Sequence, residues 1–190
     1  MKSLFLFLMF SALASFVISD ERIEDQWVVD EVNSDAVYLS VNGQVTYGDR
    51  LHIRLVKGNC DFGNLLTFVY SYSDNPLISE LADQYVHARF MGEEVTGLIL
   101  FTSPFLMGHR STVDFNWAPL HALKQILGRE NPITLEFIDS NDFKVSEYFD
   151  VLENAWSNIG LSEALEKAGG LCRALKMFIV VLGICKTHYA

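Results

Sequence analysis

Catalytic and metal-binding spacings are what this 190-residue sequence lacks most plainly. Its five histidines, His52, His87, His109, His121 and His188, fall into no H-E-x-x-H or H-x-H pattern, and its cysteines form no C-x-x-C pair. A zinc site would have to be assembled from distant positions, so neither a metal nor a cofactor is expected. The G-x-S-x-G elbow of many hydrolases is missing. Asp139-Ser140-Asn141-Asp142 has neither the glycine nor the later glutamate of a calcium loop, and it reads as a turn. No N-x-S/T acceptor occurs, which favours a bacterial envelope over a eukaryotic secretory route. Positive charge is scarce as well: 14 Lys and Arg face 24 Asp and Glu, a formal charge of −10. Such a surface repels phosphate backbones and anionic lipid, so nucleic acid is not an expected partner. No apolar run reaches the ~20 residues that a membrane-spanning helix needs.

Of what is present, the N-terminal stretch is the most specific. Met1-Lys2 supplies a positive start, Leu4 to Val17 is almost unbroken apolar sequence, and Ser19 precedes the charged Asp20-Glu21-Arg22. That order is expected of a secretory signal peptide, here over residues 1–19. Val17-Ile18-Ser19 is the favoured cleavage site. Ala12-Leu13-Ala14 competes but leaves a very short leader, and an uncleaved N-terminal anchor is the remaining alternative. Export places the chain in a periplasm or outside the cell. Removal of Lys2 then makes the remainder more acidic still.

An oxidising compartment gives meaning to the three cysteines, Cys60, Cys172 and Cys185. An odd count implies one disulfide and one leftover thiol. Cys60 lies in the turn-like run Lys57 to Asp61, and Cys172 follows Gly169-Gly170-Leu171. A Cys60–Cys172 bridge would tie an early loop to the last helix. Closing so long a loop contributes about 3–5 kcal/mol in the chain-entropy model, less any strain.

Residues 20–35 are charged and rich in turn formers apart from Trp27-Val28-Val29, and they read as a lead-in with room for one short edge strand. Period-two alternation starts at residue 36. Val37, Leu39 and Val41 alternate with Tyr38 and Ser40, Asn42-Gly43 interrupts, and Gln44 to Tyr47 resumes. Asn-Gly between alternating runs predicts a two-residue type I′ hairpin. Leu51, Ile53 and Leu55 predict the next strand. Leu66 to Ser73 predicts another, with Phe68, Tyr70 and Tyr72 on one face. Residues 77–85 have helical spacing or form a long connection. Val86 to Phe90 and Val95 to Phe101 predict strands around Gly92-Glu93-Glu94, and Ser111 to Trp117 predicts one more.

The period then changes. Leu120, Leu123, Ile126 and Leu127 form an amphipathic stripe opened by Pro119 and closed by Gly128, the punctuation of a helix. Ile133 to Ile138 is a strand with Lys144 to Val151 as its expected hairpin partner. A second helix starts near Leu161, with Leu161, Ala164, Leu165 and Ala168 on one face. The expected fold is one α+β domain over residues 36–175, a mainly antiparallel, sandwich-like sheet packed with two or three helices. Residues 176–190 form an apolar tail. Its core, Met177 to Ile184, is too short to span a bilayer; a buried strand or helix end, a partner-facing segment and weak membrane-surface association are its alternatives.

Candidate chemistry is sparse. His109-Arg110-Ser111 with Asp114 brings a base, a hydroxyl and a carboxylate together in sequence, but on a strand Asp114 would face away from His109 and Ser111. The acidic pairs Glu93-Glu94, Asp139 with Asp142, and Glu163 with Glu166 sit in turns or on a helix face. There, solvation or weak pairing is the ordinary explanation. The row Phe68, Tyr70, Tyr72 offers a stacking surface for a sugar or peptide, or the core face of a sheet. Trp117 and Trp156 read as core anchors.

The C-terminal part carries a resemblance. Strand Val113 to Phe115, helix Leu120 to Leu127, strands at Ile133 and Val145, then Gly160-Leu161-Ser162-Glu163-Ala164-Leu165 and Cys172, resemble the ending of small exported bacterial proteins. These are the invasion-associated locus B-like and type VI secretion-associated VasI-like groups, in which a hairpin leads into a G-[LF]-x-x-A-[LF] helix. The resemblance implies an exported, β-rich, disulfide-tied accessory protein without a known catalytic centre. The expected function is therefore non-catalytic binding of a protein or envelope component. The alternative is a small secreted hydrolase using His109 with a nearby carboxylate.

Overall fold

The computed structural model describes residues 26–72 and 75–184, and the expected signal peptide, Cys185 and His188 lie outside the described residues. Nine strands occur in chain order: β1 (Val28–Val32), β2 (Ala36–Asn42), β3 (Arg50–Val56), β4 (Phe62–Ser71), β5 (Tyr85–Phe90), β6 (Glu93–Phe105), β7 (Gly108–Pro119), β8 (Ile133–Ile138) and β9 (Glu153–Trp156). Two α-helices accompany them, α1 (Leu120–Leu127) and α2 (Leu161–Ile184). Hydrogen-bonded neighbours run β1-β2-β3-β4-β7-β6-β5-β8-β9, and every pair is antiparallel. The chain leaves β4 through a 3₁₀ turn at Pro76–Glu80, starts again at β5, and works back until β7 closes on β4.

Period-two alternation decides which side of each strand is buried. Val37, Leu39 and Val41 of β2, Leu51, Ile53 and Leu55 of β3, Val86 and Ala88 of β5, and Ile133, Leu135 and Phe137 of β8 enter one apolar core. Leu123 and Leu127 of α1 join it, as do Leu161, Ala164, Leu165 and Ala168 of α2. Each Val, Leu, Ile or Phe side chain among these contributes about 1.5–3 kcal/mol on full burial. The close approach of α1 depends on Gly63, where an added Cβ would lie 2.6 Å from Ile53 and 2.8 Å from Leu123.

The mainly antiparallel sheet with two helices agrees with the expected α+β class. Its strands form one continuous curled sheet, and a division into two stacked sheets is not seen among the described residues. The curl draws the two ends together: Gly43 pairs with Trp156, Gln44 N donates to Ala155 O at 2.8 Å, and the Trp27 indole donates to Ser157 O at 2.8 Å.

Two local expectations are corrected. Asn42-Gly43 does not make a two-residue hairpin; β2 and β3 are joined by residues 43–49, and the left-handed conformation falls on Gly48 at φ +99°. Gly43 answers to crowding instead, since a Cβ there would lie 2.9 Å from Asp49 Cβ and 3.0 Å from Asn154 Oδ1. The partner of β8 is β9, not Lys144 to Val151, which forms a 3₁₀ turn at Val145–Glu147 that buries Val145 and leads to the buried Phe149. Of the two readings for residues 77–85 the long connection holds: the chain passes through the 3₁₀ turn at Pro76–Glu80 and a loop before β5.

Cys60 and Cys172 form the expected bridge, with Sγ atoms 2.04 Å apart and Cα atoms 5.7 Å apart. It fastens the β3–β4 turn to α2. The backbone of α2 runs on without a break through residues 177–184. Among the described residues no helix is long and apolar enough to cross a membrane.

Candidate binding cleft

The face of β2, β3, β4 and β7 opposite the apolar core carries polar and aromatic side chains. Cross-strand register sets Ser40 opposite His52, Arg50 opposite Phe68, Phe68 opposite Thr112, and Tyr70 opposite Arg110. Because these positions alternate with core residues, they share one face.

Four of these side chains and one from the β6–β7 hairpin form a continuous stack. The Arg110 guanidinium lies 4.6 Å from the Phe105 ring centre and 4.8 Å from that of Phe68. The other side of the stack is His52, 4.1 Å from Phe68. Tyr70 meets Phe105 edge-on at 5.6 Å. Further along the face, Arg54 lies 5.4 Å from the Trp117 ring centre.

Beside the stack is a cleft of about 600 Å³, lined among others by Asp30, Ser40, Tyr47, Arg50, Phe105 and Arg110. Arg50 is held from two sides: its Nη1 is 3.2 Å from the Asp30 carboxylate, and its Nε donates to Asn42 Oδ1 at 2.9 Å. Ser40 Oγ donates to the same Asp30 carboxylate at 3.2 Å. Arg110 has no salt bridge among the described residues, and its Nε is buried without a hydrogen-bond partner.

Two buried groups frame the cleft. Burial pushes the His52 imidazole down to about 4, and Arg50 adds to the effect. The ring is therefore neutral near neutrality, and its Nε2 has no hydrogen-bond partner among the described residues. Burial pushes the Asp49 carboxyl up to about 7, against hydrogen bonds from Tyr70 N and Asn154 that favour the charged form. Asp49 thus ends the β2–β3 loop on a fixed point shared with β4 and β9.

The aromatic row is distributed unevenly. Tyr70 is buried, Phe68 is half-buried under Arg110 and His52, and only Tyr72 is well exposed. An accessible aromatic contact on this row therefore falls to Tyr72. Trp156 is a fully buried core anchor, as expected, but Trp117 is 39% exposed, because the register of β7 turns it to the Arg54 side.

His109 and Ser111 share a face of β7, yet neither is hydrogen-bonded to the other among the described residues. Ser111 Oγ pairs with Thr102 Oγ1 at 2.8 Å. Asp114, on the other face, accepts from Asn64 Nδ2 and Asn116 N, both at 2.6 Å. The nearest polar pair in register with His109 is Ser71, whose hydroxyl bonds the Asp150 carboxylate. Among the described residues no three His, Cys, Asp or Glu side chains converge as a metal site. Asp49 and Arg110 are the residues that sequence reasoning passed over. Asp49 follows Gly48 between two strands, where an acidic residue gives no local signal, and Arg110 stands between His109 and Ser111 with none either.

Compared with family models, curated proteins and solved structures, the chain has no significant match.

Proposed function

We propose that this chain is an exported, non-catalytic binding protein that takes a protein or envelope component through the cleft beside Arg110. The observation that carries the reading is the guanidinium packed against both Phe68 and Phe105 at the wall of an open cleft. Stacked arginine and aromatic groups are what recognition surfaces are enriched in. On the same cleft wall the Ser40 hydroxyl is bonded to the Asp30 carboxylate, but that carboxylate is also ion-paired with Arg50. The hydrolase alternative has less support, since His109 has no bonded nucleophile or carboxylate among the described residues and its Nδ1 is unpartnered. The Cys60–Cys172 bridge supports an oxidising destination, periplasmic or secreted. The resemblance to exported accessory proteins points the same way.

Site-specific photocross-linking in the producing cell tests this reading. A cross-linker at Tyr47, 82% exposed on the cleft, is expected to trap one discrete partner. The same group at Leu77, exposed but outside the cleft, is expected to trap none. Equal trapping at both positions would sink the proposal.

A further inference from the structure

We propose that Arg110 anchors a site for a small organic monocarboxylate whose apolar body rests against Phe105, Tyr47 and Val28 in the cleft. The inference rests on the proposed binding role and names the chemistry of the group that is bound.

The Arg110 guanidinium carbon lies 4.8 Å from the Phe68 ring centre and 4.6 Å from that of Phe105, so two rings hold the group in place at the cleft wall. Its edge is a planar fork which matches a carboxylate in bidentate fashion, and the ring contacts fix the fork before the ligand arrives. Arg110 is half-buried and its Nε is buried without a partner among the described residues, which makes an incoming anion the natural complement. No carboxylate of the chain serves Arg110 among the described residues, whereas Arg50 is already neutralised by Asp30.

The local charge count selects the class of anion. Asp30 and Arg50 cancel, and Asp49, also in the lining, holds its proton below about pH 7, so that under mildly acidic conditions Arg110 leaves one positive charge on the cleft wall. A monoanion balances it. A dianion such as a phosphate monoester would leave excess negative charge next to Asp30, in a chain of net charge −10. The cleft volume of about 600 Å³ lies within the range of small-molecule sites. Val28, Tyr47 and Phe105 supply the apolar wall for the rest of the ligand.

The test is a two-dimensional NMR titration of the full chain with phenylacetate, phenylacetamide and inorganic phosphate. Phenylacetate is expected to shift the Arg110 Nε–H signal and the Ser40 and Arg50 amides saturably. The amide should bind weaker by about tenfold or more, as loss of a charge-assisted pair requires, and phosphate, which has no apolar body to rest on the Val28, Tyr47 and Phe105 wall, should also bind weaker. Arg110→Gln should lose the response. Arg89→Gln should keep it, since Arg89 pairs with Glu136 elsewhere on the surface. Arg110→Lys retains the charge without the fork and should bind less tightly; it also serves if the Gln variant fails to fold. The proposal is overturned by no saturable shift, by equal binding of phenylacetamide or phosphate, or by undiminished binding in a folded Arg110 variant. Cross-linking at Tyr47 without saturable phenylacetate binding would remove the carboxylate site and leave the binding role standing. Saturable phenylacetate binding with no cross-linked partner would do the reverse.

Discussion

Asp49, at the end of the β2–β3 loop, accepts a hydrogen bond from the side chain of Asn154, 105 residues further along the chain in β9. Its other carboxyl oxygen accepts from the backbone N–H of Tyr70 in β4 at 2.5 Å. One buried carboxyl therefore joins a loop, a central strand and an edge strand, next to the Gly43–Trp156 pairing that curls the sheet.

Its titration should be masked by that of a neighbour on β3. Burial raises Asp49 from 3.8 to about 7 and lowers His52 from 6.5 to about 4. Between about pH 4 and 6.5 the folded chain keeps an Asp49 proton that the unfolded chain has lost, so this group makes stability fall as pH rises. Over the same window folded His52 lacks a proton that the unfolded chain binds, so it makes stability rise. Each slope approaches ~1.4 kcal/mol per pH unit, and the two offset one another. Asp49→Asn should uncover the rising slope and His52→Gln the falling one, read from urea midpoints across the window. A single shared slope in all three proteins would refute the assignment.

Two glycines should respond to alanine with opposite signs. At Gly63 the new methyl meets Ile53 and Leu123 at 2.6 and 2.8 Å, so Gly63→Ala should lose about 1–3 kcal/mol through overpacking between sheet and α1. Gly170 lies within α2 with nothing within 4 Å of an added Cβ. Gly170→Ala should therefore gain about 0.5–1 kcal/mol from helix propensity. Thermal unfolding of both variants measures the contrast; a stabilised Gly63→Ala would contradict the packing.

The Cys60–Cys172 bridge fixes the expected thiol count. Alkylation of the denatured, unreduced protein from its native compartment should add one label, and three after reduction, given three cysteines in the sequence. The same intact mass should lack residues 1–19. The Cys60→Ala/Cys172→Ala double variant should lose about 2–5 kcal/mol. A full-length mass with three free thiols would remove both the export and the disulfide arguments.

The strands at Val37–Val41, Leu51–Leu55 and Ile133–Ile138 and the helix at Leu120–Leu127 were legible because alternation, or a Pro-to-Gly frame, is contained within a few residues. The β8 partner was misread for the same reason. Lys144 to Val151 follows β8 directly and carries apolar residues, but Val145 and Phe149 bury themselves from a 3₁₀ turn rather than a ladder. Asn42-Gly43 carried a genuine hairpin pattern that lost to packing, since Gly43 must make room for Asp49 and Asn154. The Cys60–Cys172 pairing could be anticipated because only three cysteines competed and two lay beside turn or glycine signals.

Local order, the α+β class and the sign of the surface charge were determined by the sequence alone, since each depends on neighbouring residues or on a simple count. Strand order, the curl, and the neighbours of Asp49 and Arg110 were decided by tertiary structure. Arg110 is adjacent in sequence to His109 and Ser111, yet its energetics depend on Phe68 and Phe105, which sheet register brings to either side of it. No spacing in the chain encodes that meeting, because stacking and desolvation act between surfaces that exist only after the sheet has formed.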